Sequence, residues 1–225
     1  MTAAPINRMG HLATHYREGD EHLARLLLED LGFTLLDNGP RPGEDGFCTA
    51  LVDGDEASCS ENIIFLSKVS PFQQALEDAI TESLGWGTDH QHPALTEFLD
   101  RRDERAEAVA HFGIRYSTFE RLERVIESLE RDASPGGPLH GRVTLYKRIA
   151  PPRFSDSIDA TMAGSKVFAG VEQYGPAKNW VQCRIVTDVL AFGLVAVGAE
   201  FELNYVFPEW FEATPSFAPA VPPSA

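Results

Sequence analysis

Residues 10–36 read GHLATHYREGDEHLARLLLEDLGFTLL, and this stretch decides the fold class. Its first six-residue segment, HLATHY at residues 11–16, is short enough to predict a strand. The next segment carries leucines at three- and four-residue steps: Leu23, Leu26, Leu27 and Leu31. That spacing predicts a helix with one apolar face, which we expect Asp20 to cap and Gly32 to end. Residues 33–36, FTLL, then predict a second strand.

Beyond this stretch, the chain continues with a turn-rich segment, DNGPRPGEDG. Residues 47–52 and 62–69 (NIIFLSKV) predict two further strands, separated by the polar sequence DGDEASCSE. The predicted order is therefore β-α-β-β-β.

The same order recurs about one hundred residues later along the chain. Residues 111–116, HFGIRY, predict a strand, and residues 118–129 predict a helix whose cap is Thr118. The remaining strands are predicted at residues 141–149, 180–186 and 201–207. We therefore interpret the chain as two copies of one βαβββ module.

Between the copies lies an insertion with two predicted helices, at residues 71–84 and 94–110. The second of these helices is highly charged and is expected to be solvated. The predicted organisation is a first module at 8–70, a helical insertion at 71–109, a second module at 110–210 and a disordered tail at 211–225.

Composition and charge exclude several classes of function. With 19 Lys and Arg against 34 Asp and Glu, the formal net charge of the 225-residue chain is −15. Such a surface repels phosphate backbones and anionic membranes, so we expect neither nucleic acid nor membrane as partner. It also disfavours polyanionic substrates, although one local basic pocket could override that effect.

The cysteines and the apolar runs predict a reduced, cytoplasmic protein. Cys48, Cys59 and Cys183 show neither close metal-binding spacing nor the even count of a disulfide framework. No apolar run approaches the length of a membrane span, and the first residues lack the apolar region of a signal peptide. Dinucleotide, phosphate-loop, nucleophile-elbow and zinc-helix motifs are absent from the sequence as well.

Three residues are candidates for a metal site. His11 and His111 occupy the same place, at the start of the first strand of each module, and Glu202 lies in the last strand of the second module. If the two copies pack around a common cavity, two imidazoles and one carboxylate can converge on its floor. Two His and one carboxylate form the facial triad of non-haem Fe(II) oxygenases, which leaves positions open for substrate and O2. The alternative is that each His has only a structural role and binds no metal.

The segments GHLATHY, LEDLGF, AHFGIRY and FELNYVF resemble the vicinal oxygen chelate superfamily. Within it, the chain is most similar to the two-module catalytic half of extradiol ring-cleaving dioxygenases. The resemblance implies an α+β fold in which two βαβββ modules form a cupped mixed sheet around a central cavity and a divalent metal. Metal ligands can come from the first and last strands of both modules, and His11, His111 and Glu202 match three of those four places. The fourth falls near Phe65, which cannot bind a metal, and this favours iron enzymes over glyoxalase-like lyases.

Extradiol enzymes also use a His and a Tyr near the substrate, and the resemblance implies His140 with Tyr205 or Tyr174 for these roles. Arg115 shares a strand face with His111, and it either holds a substrate carboxylate or phenolate or forms an ion pair with an acidic side chain. His15 lies on the same strand face as His11 and is expected either at the cavity rim or at the solvent end of the strand.

The leading hypothesis is an Fe(II) dioxygenase that acts on an aromatic, catecholic or related oxygenated molecule, with O2 as co-substrate. Two alternatives stay open. With Mn, Zn or Ni, the same ligands would support a glyoxalase-like isomerase or lyase. Without metal, the fold would serve a protein that binds or sequesters a small molecule. The expected partner is in each case a small molecule, and a homodimer is an open alternative to a monomer.

Overall fold

The structure is a computed structural model that describes residues 10–37, 47–54, 62–104, 111–153, 155–175, 179–193 and 197–208. The chain divides into two compact units. Unit 1 comprises Met1–His111, Ser128–Thr144 and Val186–Glu200, and unit 2 comprises Phe112–Glu127, Leu145–Ile185 and Phe201–Ala225. The described residues form five helices and two four-stranded mixed sheets, so the α+β class is confirmed.

The first sheet contains the strand, helix and three strands expected from the sequence. Its elements are β1 (His11–Tyr16), α1 (Glu21–Asp30), β2 (Thr34–Leu36), β3 (Cys48–Leu51) and β4 (Ile63–Lys68). The strand order is β1-β4-β3-β2, with β1 parallel to β4 and the other pairs antiparallel. The first and last strands of the module are therefore direct neighbours.

Helix α1 forms where the leucine spacing predicts it, and it buries one face that includes Leu23, Leu27 and Leu28. Gly32 ends it with a φ of 81°, while the N–H groups of residues 32 and 33 donate to carbonyls of the last turn, as in a Schellman motif. Asp20 occupies the N-cap position of α1, as expected, but it does not cap the helix through its side chain. The Asp20 side chain makes no cap hydrogen bond; it forms an ion pair with Arg142 instead.

The insertion is helical, as predicted, and comprises α2 (Pro71–Ser83) and α3 (Pro93–Glu104). The Ser70 hydroxyl caps α2 by accepting a hydrogen bond from the N–H of Gln73. Most of α3 is exposed, in agreement with its high charge, and the predicted extension to residue 110 lies outside the described residues.

The second sheet contains β5 (Phe112–Arg115), β6 (Val143–Arg148), β7 (Trp180–Thr187) and β8 (Ala199–Val206). Its order is β5-β8-β7-β6, with β5 parallel to β8, and α4 (Phe119–Ala133) follows β5. Thr118 caps α4, as expected, since its hydroxyl accepts a hydrogen bond from the N–H of Arg121. This sheet thus repeats the strand order of the first.

One element was not expected from the sequence. Helix α5 (Asp156–Gly164) lies between β6 and β7 and buries only Ile158 and Met162, one turn apart. Two apolar residues in nine give too weak a period to predict a helix. In the part of the chain that is described, no helix is both long and apolar enough to cross a bilayer. The tail expected to be disordered at 211–225 lies outside that part.

Candidate functional site

Strand β8 presents the predicted carboxylate on the polar face of the second sheet. Because strand side chains alternate, Phe201 and Leu203 lie on one face, and Glu202 and Asn204 lie on the other. All four residues are buried. In the parallel register with β5, Glu202 lies opposite Gly113. A Cβ atom at residue 113 would meet nothing within 4 Å, so the space beside Glu202 is open.

One hydrogen bond from Asn204 reaches the Glu202 carboxylate, and a second one, from Trp180, fixes the Asn204 side chain. The Trp180 indole N–H donates to Oδ1 of Asn204 over 2.7 Å, and Nδ2 of Asn204 donates to Oε1 of Glu202 over 2.8 Å. Because the indole is only a donor, it determines which end of the amide faces Glu202. The chain of bonds from Trp180 through Asn204 therefore orients one carboxylate oxygen.

Strand β7 adds buried polar side chains to the same unit. Val181, Cys183 and Ile185 are fully buried apolar residues, while Gln182 and Arg184 alternate with them. The Arg184 guanidinium lies 4.4 Å from the centre of the Tyr146 ring, a cation–π contact. We call the following set the polar floor of unit 2: Arg115, Trp180, Gln182, Arg184, Glu202 and Asn204. The sequence analysis missed Gln182 and Arg184, although the alternation in WVQCRIVT carries the signal.

The structure places Arg115 in β5, opposite Asn204 in the register and two residues beyond Gly113. Its side chain is on the same strand face as Gly113 and is exposed. Arg115 and Glu202 thus belong to one sheet face, with a guanidinium and a carboxylate on neighbouring strands. This arrangement fits a small molecule that carries both a donor and an acceptor.

The predicted imidazole ligands lie in unit 1. His11 is the exposed first residue of β1, and its ring centre is 4.7 Å from that of Phe65. His111 is exposed and directly precedes β5. Their donor types, together with Glu202, fit Fe(II). Among the residues that the structure describes, however, no three His, Cys, Asp or Glu side chains are assembled to hold a metal ion. The ligand set remains a prediction.

The other predicted residues, His140, Tyr174 and Tyr205, each have surroundings of their own. Tyr205 is on the opposite face of β8 from Glu202, where its ring packs against Phe119 and Phe207 at centre distances of 5.9 and 5.1 Å. His140 is exposed, and its Nδ1 lies 3.2 Å from the carbonyl of Ala133, the last residue of α4. Tyr174, the alternative to Tyr205, is 54% exposed and follows α5.

His15 is half-buried in unit 1, and its Nδ1 is 3.1 Å from the Ser67 hydroxyl. Burial lowers the pKa of this imidazole, and the nearby Glu77 carboxylate opposes that effect. Glu77 is fully buried in α2 and accepts a hydrogen bond of 2.8 Å from Gln73. His15 is thus half-buried and in contact with Ser67, rather than at the solvent end of its strand.

Comparisons of the chain with protein-family models, with curated proteins and with solved structures found no match.

Proposed function

We propose that the chain is a metal-dependent enzyme for a small oxygenated aromatic molecule, and that the polar floor of unit 2 is its substrate-binding surface. One observation carries the proposal: Glu202, the carboxylate expected from the sequence, is buried and is oriented by the bonds from Trp180 through Asn204. Burying a carboxylate is costly, and its precise orientation is typical of a group that binds a ligand.

The strand order supports the same proposal. In both sheets the first strand of the βαβββ order is parallel and adjacent to the last strand. That is the pair of strands from which the resemblance to vicinal oxygen chelate enzymes draws metal ligands. The proposed ligands are accordingly His11, His111 and Glu202, with Fe(II) as the metal and O2 as co-substrate.

The residues of the polar floor have separate roles in this proposal. Arg115 provides a cation for a phenolate or carboxylate, and the open space at Gly113 admits the substrate next to Glu202. A divalent metal, when bound, would act as a Lewis acid and as a template for substrate and oxygen. Tyr205 has no role here, because it lies on the opposite face of β8.

The test is anaerobic loading with Fe(II), followed by measurement of metal per chain and of oxygen uptake with a panel of catechols. Glu202→Gln should lose metal and oxygen uptake, because the amide keeps the shape but not the charge. Glu172→Gln, a change at an exposed carboxylate, should keep both. Thermal denaturation confirms that each variant is folded. Full metal content in E202Q, or a wild-type chain that takes up no metal, would refute the proposal.

A second candidate is a metal-free protein that binds aromatic molecules, and the contacts of His11 favour it. Its ring lies against Phe65, and Phe65 lies 5.3 Å from Phe47, so aromatic rings are grouped on this sheet. Such a protein would bind a catechol in the presence of a chelator, and His11→Ala would weaken that binding, while His90→Ala at an exposed loop would not. Binding that requires added metal would exclude this candidate.

A further inference from the structure

The polar floor of unit 2 contains a buried amide that the proposed function does not use, that of Gln182. Gln182 lies in β7 between two fully buried apolar residues and is only 8% exposed. Its side chain makes no hydrogen bond with any residue that the structure describes. Buried polar groups are nearly always hydrogen-bonded, so an exception on a candidate binding surface indicates a partner from outside the chain.

The amide of Gln182 can be reached by such a partner. In the described ranges, the side-chain atoms that are both sealed from solvent and without a hydrogen bond do not include those of Gln182. Its amide oxygen and nitrogen therefore keep accessible surface. Because an amide both donates and accepts hydrogen bonds, a group that does the same, such as a hydroxyl, is its best match.

The pairing of β7 with β8 gives the position of Gln182 on the floor. The N–H of Phe207, just after β8, donates over 3.0 Å to the carbonyl of Asn179, just before β7. The two strands are therefore antiparallel, and the same register sets Gln182 opposite Asn204. Arg115 in β5 lies opposite Asn204 from the other side. The backbones of Arg115 and Gln182 are thus roughly 10 Å apart, which is twice the spacing of neighbouring strands.

The Arg115 end of this gap carries a positive charge. Its guanidinium is exposed, and within the described part of the chain neither an ion pair nor a hydrogen bond engages it. A guanidinium binds a carboxylate through two parallel hydrogen bonds. The Glu202 carboxylate lies on the same face of β8 as Asn204 and repels a second carboxylate from the centre of the floor. A ligand anion is therefore favoured at the Arg115 end alone.

We propose that the polar floor binds an aromatic carboxylic acid with a hydroxyl group on the ring carbon opposite the carboxylate. The carboxylate pairs with Arg115, and the hydroxyl exchanges hydrogen bonds with the amide of Gln182. One benzene ring with two para substituents suits the gap between these side chains. This inference rests on the proposed function, because it takes the polar floor as the substrate-binding surface, and it names the substrate class.

Isothermal titration calorimetry on the full chain in EDTA tests the assignment. 4-Hydroxybenzoate should bind one per chain, and benzoate should bind about fivefold more weakly, as expected for loss of one neutral hydrogen bond. 2-Hydroxybenzoate has the same charge and composition, but its hydroxyl lies next to the carboxylate and cannot reach Gln182. It should bind no better than benzoate. Equal affinities for the two hydroxybenzoates, or no binding of either, would overturn the assignment.

Four variants locate the two ends of the ligand. Gln182→Leu should weaken 4-hydroxybenzoate about fivefold, leave benzoate unchanged and keep the melting temperature, because the amide has no protein partner to lose. Arg115→Gln should weaken both acids about tenfold or more. The matched controls are Gln173→Leu and Arg124→Gln, at exposed residues, and both should bind as the wild type does. Wild-type affinity for 4-hydroxybenzoate in Q182L, or an equal loss for both acids, would refute the role of Gln182.

Metal content, measured on the same preparations after anaerobic loading with Fe(II), separates this inference from the proposed function. A chain that takes up no metal but prefers 4-hydroxybenzoate in EDTA would refute the metal-dependent enzyme and support the substrate class. A chain that takes up metal but does not distinguish the two hydroxybenzoates would refute the substrate class alone.

Discussion

Arg142 forms ion pairs with two carboxylates of unit 1, those of Asp20 and Asp188. Its replacement tests how much burial strengthens an ion pair. Its Nη2 and Nη1 lie 2.8 and 3.3 Å from the two carboxylate oxygens of Asp20, and its Nε lies 2.7 Å from Asp188. The Asp20 side chain is 18% exposed, whereas that of Asp188 is 61% exposed. Hydrogen bonding to Asp20 raises the pKa of Arg142 above its ordinary value. The guanidinium is therefore charged at neutral pH.

The two carboxylates should contribute unequally to stability. A half-buried, bidentate pair is worth about 2 kcal/mol, within the range for hydrogen bonds to charged groups. An exposed pair is worth about 0.5 kcal/mol, because solvent screens it and ordering the side chains has an entropic cost. Arg142→Gln should therefore cost about 2–3 kcal/mol, or a fall in melting temperature of roughly 5–10 °C for a chain of this length.

Double-mutant cycles measure each pair separately. Urea denaturation of Arg142→Gln, Asp20→Asn and the double variant gives the first coupling energy, and Asp188→Asn replaces Asp20→Asn in the second cycle. We expect about 2 kcal/mol for the first and about 0.5 kcal/mol for the second. A coupling to Asp188 as large as that to Asp20 would refute the reasoning, since burial would then not determine the strength of the pair.

Three further changes test the local chemistry of the fold by urea denaturation. Burial raises the pKa of Asp30, whose Oδ1 accepts a hydrogen bond from Ser128. The stability that the protonated carboxyl contributes is therefore lost as the pH rises through that pKa. Asp30→Asn should stabilise the chain by about 1 kcal/mol at pH 7 and by less at pH 4. A destabilised variant at pH 7 would contradict this. Gly32→Ala should cost about 1 kcal/mol because of its positive φ, whereas Gly10→Ala should cost nothing; equal effects would count against the argument. Burial lowers the pKa of His15 in the folded chain. As the pH falls below about 6.5, this histidine is therefore protonated in the unfolded chain before it is protonated in the folded chain. The free energy of unfolding falls in that pH range by at most about 1.4 kcal/mol per pH unit. His15→Gln should reduce that slope, and an unchanged slope would exclude His15 as its source.

Local patterns were sufficient to predict most of the fold. The leucine spacing of α1, the apolar face of α4 and the alternation of the strands are properties of short stretches, and the elements formed there. Helix α5 was missed because it packs through only two apolar residues. Asp20 was predicted to cap the helix that follows it, but its side chain forms an ion pair with Arg142, which lies 122 residues away in sequence. A single sequence does not reveal such a pairing.

The same limit applies to the candidate sites. Glu202 could be found because it follows the strand alternation of FELNYVF, and Asn204 two residues later holds it. The cluster of Arg142 with Asp20 and Asp188 could not be found, because the three residues are far apart in sequence and only the tertiary structure brings them together. Net charge also gave no warning of this cluster, since a total of −15 does not describe which charged side chains meet in the folded chain.

The two sheets share a strand order but differ in the chemistry of equivalent positions. In the parallel registers, Ala13 lies opposite Phe65 in the first sheet, and Gly113 lies opposite Glu202 in the second. Phe65 and Glu202 therefore occupy corresponding places in the last strand of each sheet. One place carries an aromatic ring that packs on His11, and the other carries a buried, oriented carboxylate. Changes at residue 65 should consequently act through aromatic packing and those at residue 202 through the loss of a buried, hydrogen-bonded carboxylate, because only the second sheet places an acidic side chain at this position.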